Sequence, residues 1–235
     1  MRKNILFILL CSFMTVLPLS AQVKFGVEAG VVSSQTPSGD KAENIARISG
    51  FSVGVTGDLV LKNNWILMSG LSWIQKGGEL HQELFTNMGN TTIYNAVPAF
   101  ERISSKINTI ELPIKIGYAI CVNEHLTLVP SIGGYVSYGF NAGTCTMNAF
   151  KTNGEKGEFV QVNWKPYDGY SDAQSKWPSQ IEKFNHFDAG VNIGIKAVVS
   201  EHYTASFNYS HGLTEIQKQL QLKNSTLQLS VGYKF

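Results

Sequence analysis

Eight segments of the chain alternate apolar and polar residues, and this pattern constrains the fold more than any other feature. In the first segment the apolar positions are Phe25, Val27, Ala29 and Val31. A period of two is typical of β-strands that have one apolar face. The apolar stripes lie at 25–31, 51–59, 65–73, 110–118, 126–138, 187–195, 203–209 and 227–235. The sequence therefore predicts an all-β protein.

The connections between these segments alternate between short and long. Short turns are predicted around 62–64, 121–124 and 200–201, and long loops at 33–46, 77–105, 141–183 and 213–224. In an up-and-down meander every second connection lies at the same end. Outer-membrane barrels have this asymmetry, with short periplasmic turns and long extracellular loops. We therefore predict an eight-stranded antiparallel up-and-down transmembrane β-barrel with a long extracellular loop at 141–183.

The polar face of the predicted strands carries charged residues of both signs. A sheet can span a bilayer only as a closed barrel, because lipid offers no partner to an open edge. Eight strands leave an interior that side chains can fill, and lipid leaves the charges no other place. We predict an interior charge network formed by Lys24, Glu28, Asp58, Lys76, Glu111, Lys115, Asp188, Lys196 and Lys234. A selectivity filter in a narrow pore is the alternative.

Aromatic residues fall near both ends of the predicted strands. The short-turn ends carry Phe25, Trp65, Tyr118, Tyr203, Tyr233 and Phe235. The long-loop ends carry Phe51, Trp73, Tyr138, Phe140, Phe187 and Tyr209. Two such belts are typical of rings at the headgroup level on both sides of a bilayer. Ordinary β-propensity is the alternative, although it would scatter the rings along the strands.

Both ends of the chain have features of an exported barrel protein. Arg2 and Lys3 precede an apolar run that ends at Leu19 and is followed by small residues, as in a secretory signal peptide. We expect cleavage after Ala21, which leaves 22–235 as the barrel domain. The last strand ends in Phe235, which resembles an assembly signal for outer-membrane barrels. The barrel assembly machinery is therefore an expected partner, together with outer-membrane lipid.

Charge and motifs argue against several classes of function. Removing Arg2 and Lys3 leaves 17 Lys and Arg beside 17 Asp and Glu, so we expect no nucleic-acid partner. The sequence has no HExxH, CxxC or P-loop motif, so we expect no metal, cofactor or catalytic site. His186 and Asp188, with Ser137 or Ser210 nearby, are the residues for an alternative, a barrel-embedded lipid-modifying enzyme.

Two further sets of residues bear on the loops and on the rims. Trp164, Tyr167, Tyr170 and Trp177 lie among polar residues, which favours recognition of an extracellular glycan or protein. The alternative is that they pack the loop or extend the strands. A short loop helix is predicted over 78–88. Cys121 and Cys145 fall at opposite rims, so we expect no disulfide between them.

Three segments carry a resemblance to a known family. They are IELPIKIGY at 110–118, FGVEAGVVSS from Phe25, and the segment from Phe187 to Ile216. They resemble strands of the PorT-like outer-membrane β-barrel family of Bacteroidota. The resemblance implies a barrel without catalytic motifs, and one branch of the family is tied to secretion. Pro113 recurs in that family, which implies a local bulge.

These observations lead to one expected function and two alternatives. We expect a non-enzymatic integral outer-membrane barrel that is structural or binds a partner through its extracellular loops, with an accessory role in secretion as one version. The alternatives are the lipid-modifying enzyme and a secreted, soluble ligand-binding barrel.

Overall fold

The computed structural model describes residues 23–37, 45–81, 100–153, 156–172, 175–177, 180–218 and 221–235. The predicted signal peptide and residues 82–88 of the predicted loop helix lie outside these ranges. Within them the chain is almost entirely β-structure, with one 3-10 turn at Lys62–Asn64. None of the helices found there is long and apolar enough to cross a membrane.

Eight long strands form the wall of the molecule. They are β1 (Val23–Gln35), β2 (Ile48–Val60), β3 (Trp65–His81), β4 (Phe100–Tyr118), β5 (Leu126–Asn153), β6 (Phe187–Val199), β7 (Tyr203–Gly212) and β8 (Ser225–Lys234). Each strand pairs antiparallel with its neighbours in chain order. β8 returns to β1, from Gly26 opposite Lys234 to Gln35 opposite Ser225. The eight strands thus close into a barrel, which confirms the predicted fold.

The side chains of the wall are apolar outside and polar inside, the reverse of a soluble protein. Outward residues such as Phe25, at 63% exposure, alternate with buried inward residues such as Asp58. Neighbouring outward rings contact each other at both ends of the strands. These pairs are Trp65 with Tyr118 and Tyr203 with Tyr233 at one end, and Phe51 with Trp73 and Tyr138 with Phe187 at the other. The rings therefore form two belts around the barrel.

The turns at one end are tight because their residues adopt left-handed backbone conformations. Asn63 and Asn64 have φ of 58° and 65°, and Ser200 and Glu201 have φ of 48° and 64°. Asparagine tolerates a positive φ better than most residues. The short turns predicted at 62–64 and 200–201 are therefore present. Most of the turn predicted at 121–124 is instead the short strand Ile120–Asn123, and the chain turns at Glu124 and His125.

At the opposite end the strands extend further than predicted, so the loops are shorter. β3 and β4 remain paired up to His81 and Arg102, so Gly78 to His81 are strand and not the start of a helix. β5 continues to Asn153 and pairs with a strand at Lys156–Trp164. Part of the loop predicted at 141–183 is thus a β-hairpin. The alternation that marked the membrane strands also continues through this hairpin, which explains the extension.

The bulge predicted at Pro113 is absent. Its pairing with Tyr135 on β5 continues the regular register, and the register to β3 is the same on both sides of it. Because proline has no N–H to donate, the β3 ladder lacks its usual bonds at this point. The hydroxyl of Ser69 instead donates to the Pro113 carbonyl at 2.8 Å. A gap in the hydrogen-bond ladder thus accommodates the proline.

Candidate functional site

A carboxylate with two lysines occupies the barrel interior toward the short turns. Lys196 Nζ donates to both carboxylate oxygens of Asp58 at 3.0 Å. Lys234 Nζ lies 2.6 Å from Asp58 Oδ2. Asp58 is only 1% exposed, so groups within the protein, and not water, must stabilise its negative charge. β2, β6 and β8 supply the three residues, and this Asp58 cluster therefore joins distant parts of the wall.

A second polar network fills the interior toward the long loops. Lys76 pairs with Glu111, and its Nζ lies 4.5 Å from the centroid of the Tyr135 ring. The Tyr135 hydroxyl donates to Asp188 Oδ2 at 3.0 Å. Asn224 donates to the same oxygen at 2.6 Å. Lys76 and Glu111 thus form a buried ion pair, and the Asp188 carboxylate is stabilised by hydrogen bonds from neutral donors.

The three other predicted interior charges lie in different surroundings. Lys115 Nζ donates to Asn208 Oδ1 at 2.9 Å. Glu28 is half-buried on the inner side of β1. Lys24 lies at the short-turn rim, where its Nζ is 3.6 Å from the exposed Glu201. The structure thus brings most of the nine predicted residues into the lumen and places Lys24 at its edge.

An apolar cluster of buried residues lies at the long-loop end of the barrel. It buries residues from β4, from the upper part of β5 and from two loops, and we call it the apolar cap. Its members are Ile107, Cys145, Tyr167, Phe184, Ile216 and Leu222. A second cluster, Met147 with Ile181, lies beside it and shares the flanking Trp164. The loops therefore have a core of their own.

Comparison with known proteins identifies the family. The profile of the outer membrane protein beta-barrel domain family matches residues 13–218. The chain belongs to this family. Its apolar wall is therefore the surface that faces the lipid of the outer membrane. The short turns lie on the periplasmic side of the membrane, and the long loops lie on the extracellular side.

The chain is also similar to solved structures of outer-membrane proteins. Ail, the attachment invasion locus protein of Yersinia pestis, is 12% identical, with 91% of this chain and 99% of that chain covered and a TM-score of 0.43. Neisserial surface protein A is also 12% identical, with coverage of 91% and 99% and a TM-score of 0.46. A major outer membrane protein from Thermus thermophilus is 12% identical, with the same coverage and a TM-score of 0.42. No curated protein matches the sequence.

The aromatic residues predicted to recognise a ligand divide into different environments. Tyr167 is 6% exposed and stacks on His186 with ring centroids 4.3 Å apart, so it packs the cap and is not available for binding. Trp164 packs against both apolar clusters. Tyr170 is half-buried, and its hydroxyl donates to Asp172 at 3.2 Å. Trp177 belongs to the short strand Ser175–Trp177, next to the end of β5.

An extracellular cleft of about 470 Å³ lies beside Tyr170. We call it the platform cleft. Its walls carry two acidic residues, two lysines and several uncharged polar groups. The lining is Asp168, Gly169, Tyr170, Ser171, Ile181, Glu182, Lys183, Asn185 and Lys218. Of the predicted recognition residues, Tyr170 lines this cleft.

The polar residues of the enzymatic alternative have the following hydrogen-bond partners. The Asp188 carboxylate is held by Tyr135, Asn224 and Thr214, the last donating at 2.8 Å. His186 Nδ1 lies 2.8 Å from the Gly139 carbonyl and must donate to it. Ser210 accepts from Asn192 at 2.7 Å. Among the described residues no hydrogen bond joins His186 to Asp188, whereas Ser137 lies opposite Asp188 on the neighbouring strand and its buried hydroxyl has no hydrogen-bond partner there.

Other groups with reactive chemistry are isolated in the described part of the chain. No group of three His, Cys, Asp or Glu residues is placed there to hold a metal ion. Cys121 is exposed at the periplasmic rim, and Cys145 is buried in the cap, so both are free thiols. Burial raises the pKa of the Cys145 thiol to about 12, which keeps it protonated and unreactive.

Several partners in these networks were missed by the sequence reasoning. Tyr135 lies on the inner face of β5, two residues from Ser137, and this spacing could have placed it in the lumen. Asn224 and Thr214 lie in the loop between β7 and β8, outside any alternating segment. Only the folded structure shows that they reach Asp188.

Proposed function

We propose that this chain is a non-enzymatic outer-membrane barrel that carries a folded ligand-binding platform outside the cell. The observation that carries the proposal is the apolar cap, in which the loops pack into one core above a lumen filled by paired charges. Such loops present a fixed surface, and pre-organised surfaces lose less entropy when they bind.

The platform cleft is the part of this surface best suited to a ligand. Its volume falls within the range of about 300–1,000 Å³ that is typical of ligand pockets. Carboxylate, ammonium, hydroxyl and amide groups line it together with the ring of Tyr170. This mixture suits a hydroxyl-rich glycan. A sugar ring can pack on the aromatic face, and its hydroxyls can bond to both hydrogen-bond donors and hydrogen-bond acceptors. We therefore propose an extracellular glycan as the ligand, with a protein surface as the alternative.

Binding of purified barrel in detergent to an array of bacterial and host glycans tests this proposal. Tyr170→Ala and Lys183→Ala should each weaken binding about tenfold, as expected for the loss of roughly 1.4 kcal/mol. Lys165→Ala, an exposed lysine outside the cleft, should leave it unchanged. Equal binding by all three variants would contradict the proposal. If the barrel instead binds a protein, and Tyr170→Ala weakens that binding, the ligand of the cleft is a protein and not a glycan.

The capped lumen also favours a closed barrel over an ion channel. Purified protein in planar bilayers should give no unitary current steps, because Lys76, Glu111 and the Asp58 cluster fill the interior. Regular steps that change with Lys76→Ala would favour the selectivity filter instead.

Export and assembly form a separate part of the proposal. We propose that the signal peptide is removed after Ala21 and that the assembly machinery recognises the strand ending in Phe235. The mass of the mature protein tests the first step, and the amount of folded Phe235→Ala barrel in membranes tests the second. An accessory role in secretion, which the resemblance to PorT-like proteins implies, predicts a loss of secreted proteins when this chain is deleted.

A further inference from the structure

A second cleft lies at the outer rim of the barrel, where the lipid-facing wall meets the extracellular loops. Its volume is about 660 Å³, and we call it the rim cleft. It is formed by the upper ends of β5 and β6 and by the segment that follows β7. The lining is Tyr138, Asn185, His186, Phe187, Leu213, Thr214, Glu215 and Lys218.

The lower wall of the rim cleft is apolar and continues the outer aromatic belt. Phe187 is 72% exposed and Leu213 is 61% exposed. Tyr138 packs against Phe187 with ring centroids 5.1 Å apart. Because this wall lies on the lipid-facing side of the barrel, acyl chains are the apolar partner that the membrane supplies to it.

The upper wall is polar and offers one amino group, one carboxylate and an imidazole. Lys218 is exposed, and Glu215 is half-exposed. His186 is stacked between Tyr138 and Tyr167, with centroid distances of 5.2 Å and 4.3 Å. Its Nδ1–H is donated to the Gly139 carbonyl, so the ring is held in one orientation.

Hydrogen bonds between its walls hold the rim cleft open before any ligand binds. The Asn185 side chain donates to the Glu215 carbonyl at 2.7 Å, and its backbone N–H donates to the Ile216 carbonyl at 2.7 Å. The Leu213 N–H donates to the Ala189 carbonyl at 2.9 Å. These bonds fix the segment after β7 against the rim.

We propose that the rim cleft binds one outer-leaflet lipid with an anionic, hydroxyl-bearing headgroup. The acyl chain lies along Phe187 and Leu213. The phosphate lies at Lys218, and basic residues at the membrane surface attract such headgroups. The Glu215 carboxylate accepts from a headgroup hydroxyl, so the cleft selects a hydroxyl-bearing anion over a choline. This site goes beyond the proposed glycan site, although the two clefts share Asn185 and Lys218.

Calorimetric titration of the full barrel in detergent with short-chain phosphatidylglycerol tests the proposal. One molecule should bind per barrel, and phosphatidylcholine should bind at least fivefold more weakly. Lys218→Ala should weaken binding roughly fivefold, and Phe187→Ala roughly tenfold through lost apolar contact. Lys218→Arg, which keeps the charge, should retain binding.

Two matched variants separate this site from ordinary lipid contact. Phe51→Ala removes another ring of the same belt, and Lys62→Ala removes an exposed lysine at the opposite rim. Both should bind as the parent does. If they weaken binding as much as the cleft variants, or if the two lipids bind equally, the proposal is overturned.

A third ligand distinguishes a lipid from a free phosphate compound. Glycerol phosphate has the anionic headgroup without acyl chains and should bind at least tenfold more weakly than phosphatidylglycerol. Equal affinity would overturn the lipid assignment. Because Tyr170→Ala and Lys183→Ala alter only the platform cleft, they should leave lipid binding intact even if no glycan binds there.

Discussion

The barrel lumen and the apolar cap lie one above the other, yet they exclude water with opposite kinds of side chain. In the lumen, Asp58 is buried against Lys196 and Lys234. In the cap, Ile107 and Tyr167 are buried against other apolar residues. One chain therefore uses two different stabilising interactions within a few strand residues of each other.

The surroundings of each region explain the difference. Around the lumen, lipid covers the outer face of the wall, so the apolar side chains point outward and the polar ones meet inside. Above the outer belt the wall faces water, and apolar residues are again stabilised by burial inside. The transition occurs along β5, between the outward Tyr138 and the buried Cys145.

Replacing Asp58 with alanine should cause the largest loss of stability. The change leaves the buried ammonium groups of Lys196 and Lys234 without their carboxylate. Breaking a buried ion pair by removing one partner costs about 3–5 kcal/mol, and the free energy of unfolding in detergent should fall accordingly. Urea titration, followed by the gel shift between folded and heated barrel, measures it.

The isosteric variant Asp58→Asn is the control for this experiment. It keeps the size and one hydrogen-bond acceptor, so its loss should be smaller than that of Asp58→Ala. Neither variant should open the cap. An alanine variant as stable as the parent would show that the lumen does not depend on this cluster.

Replacing Tyr167 with alanine should open the cap and leave the lumen folded. Truncating a buried aromatic side chain costs about 3 kcal/mol or more, here confined to the loops. Maleimide labelling of Cys145 should therefore become roughly 100-fold faster, since each 1.4 kcal/mol is a factor of ten. The exposed Cys121 serves as an internal standard, and its rate should not change. A coincident loss of the heat-dependent gel shift would contradict the independence of the two regions.

The pH dependence of the same reaction tests the buried environment of Cys145 in the parent protein. Its raised pKa of about 12 leaves the reactive thiolate rare at neutral pH. The labelling rate should increase about tenfold per pH unit up to pH 10, because the thiolate fraction does so below the pKa. A rate that levels off near pH 8.5, the ordinary thiol pKa, would contradict burial of this thiol.

The two regions also differ in how far the sequence predicts them. The strands of the wall are predicted by the alternation of residues and by the lengths of the turns, which are local signals. The polar face of each strand predicts which charged residues point inward. Their partners depend on register and closure. Lys196 and Asp58 are 138 positions apart, so their pairing emerges only when β8 meets β1.

The cap could not be predicted, because no periodic pattern links its members. Ile107, Phe184 and Leu222 come from three separate segments. Tyr167 lies in the polar stretch NWKPYDGY, a context that predicts a recognition residue and not a buried one. Its burial depends on Gly139, whose missing side chain makes room for the tyrosine hydroxyl.

Gly139→Ala should destabilise the cap by a smaller amount than Tyr167→Ala. A methyl group at this position would overlap the Tyr167 hydroxyl, so the ring must move. Overpacking of this kind costs about 1–3 kcal/mol, and Cys145 labelling should accelerate by an intermediate factor. At Gly57 a methyl group would meet only the Phe25 ring, at 3.9 Å, so Gly57→Ala is the matched control. Equal acceleration in both variants would mean that Gly139 has no special role beneath Tyr167.

Glu201→Gln should have the smallest effect, although it also removes an ion pair. Glu201 is 81% exposed and lies 3.6 Å from Lys24 at the periplasmic rim. Water and salt screen such pairs, which contribute about 0–1 kcal/mol. The free energy of unfolding should change by less than about 0.5 kcal/mol, and this difference should vanish in about 0.5 M salt. A loss as large as that of Asp58→Ala would show that burial does not separate the two ion pairs, and the contrast between rim and lumen would fail.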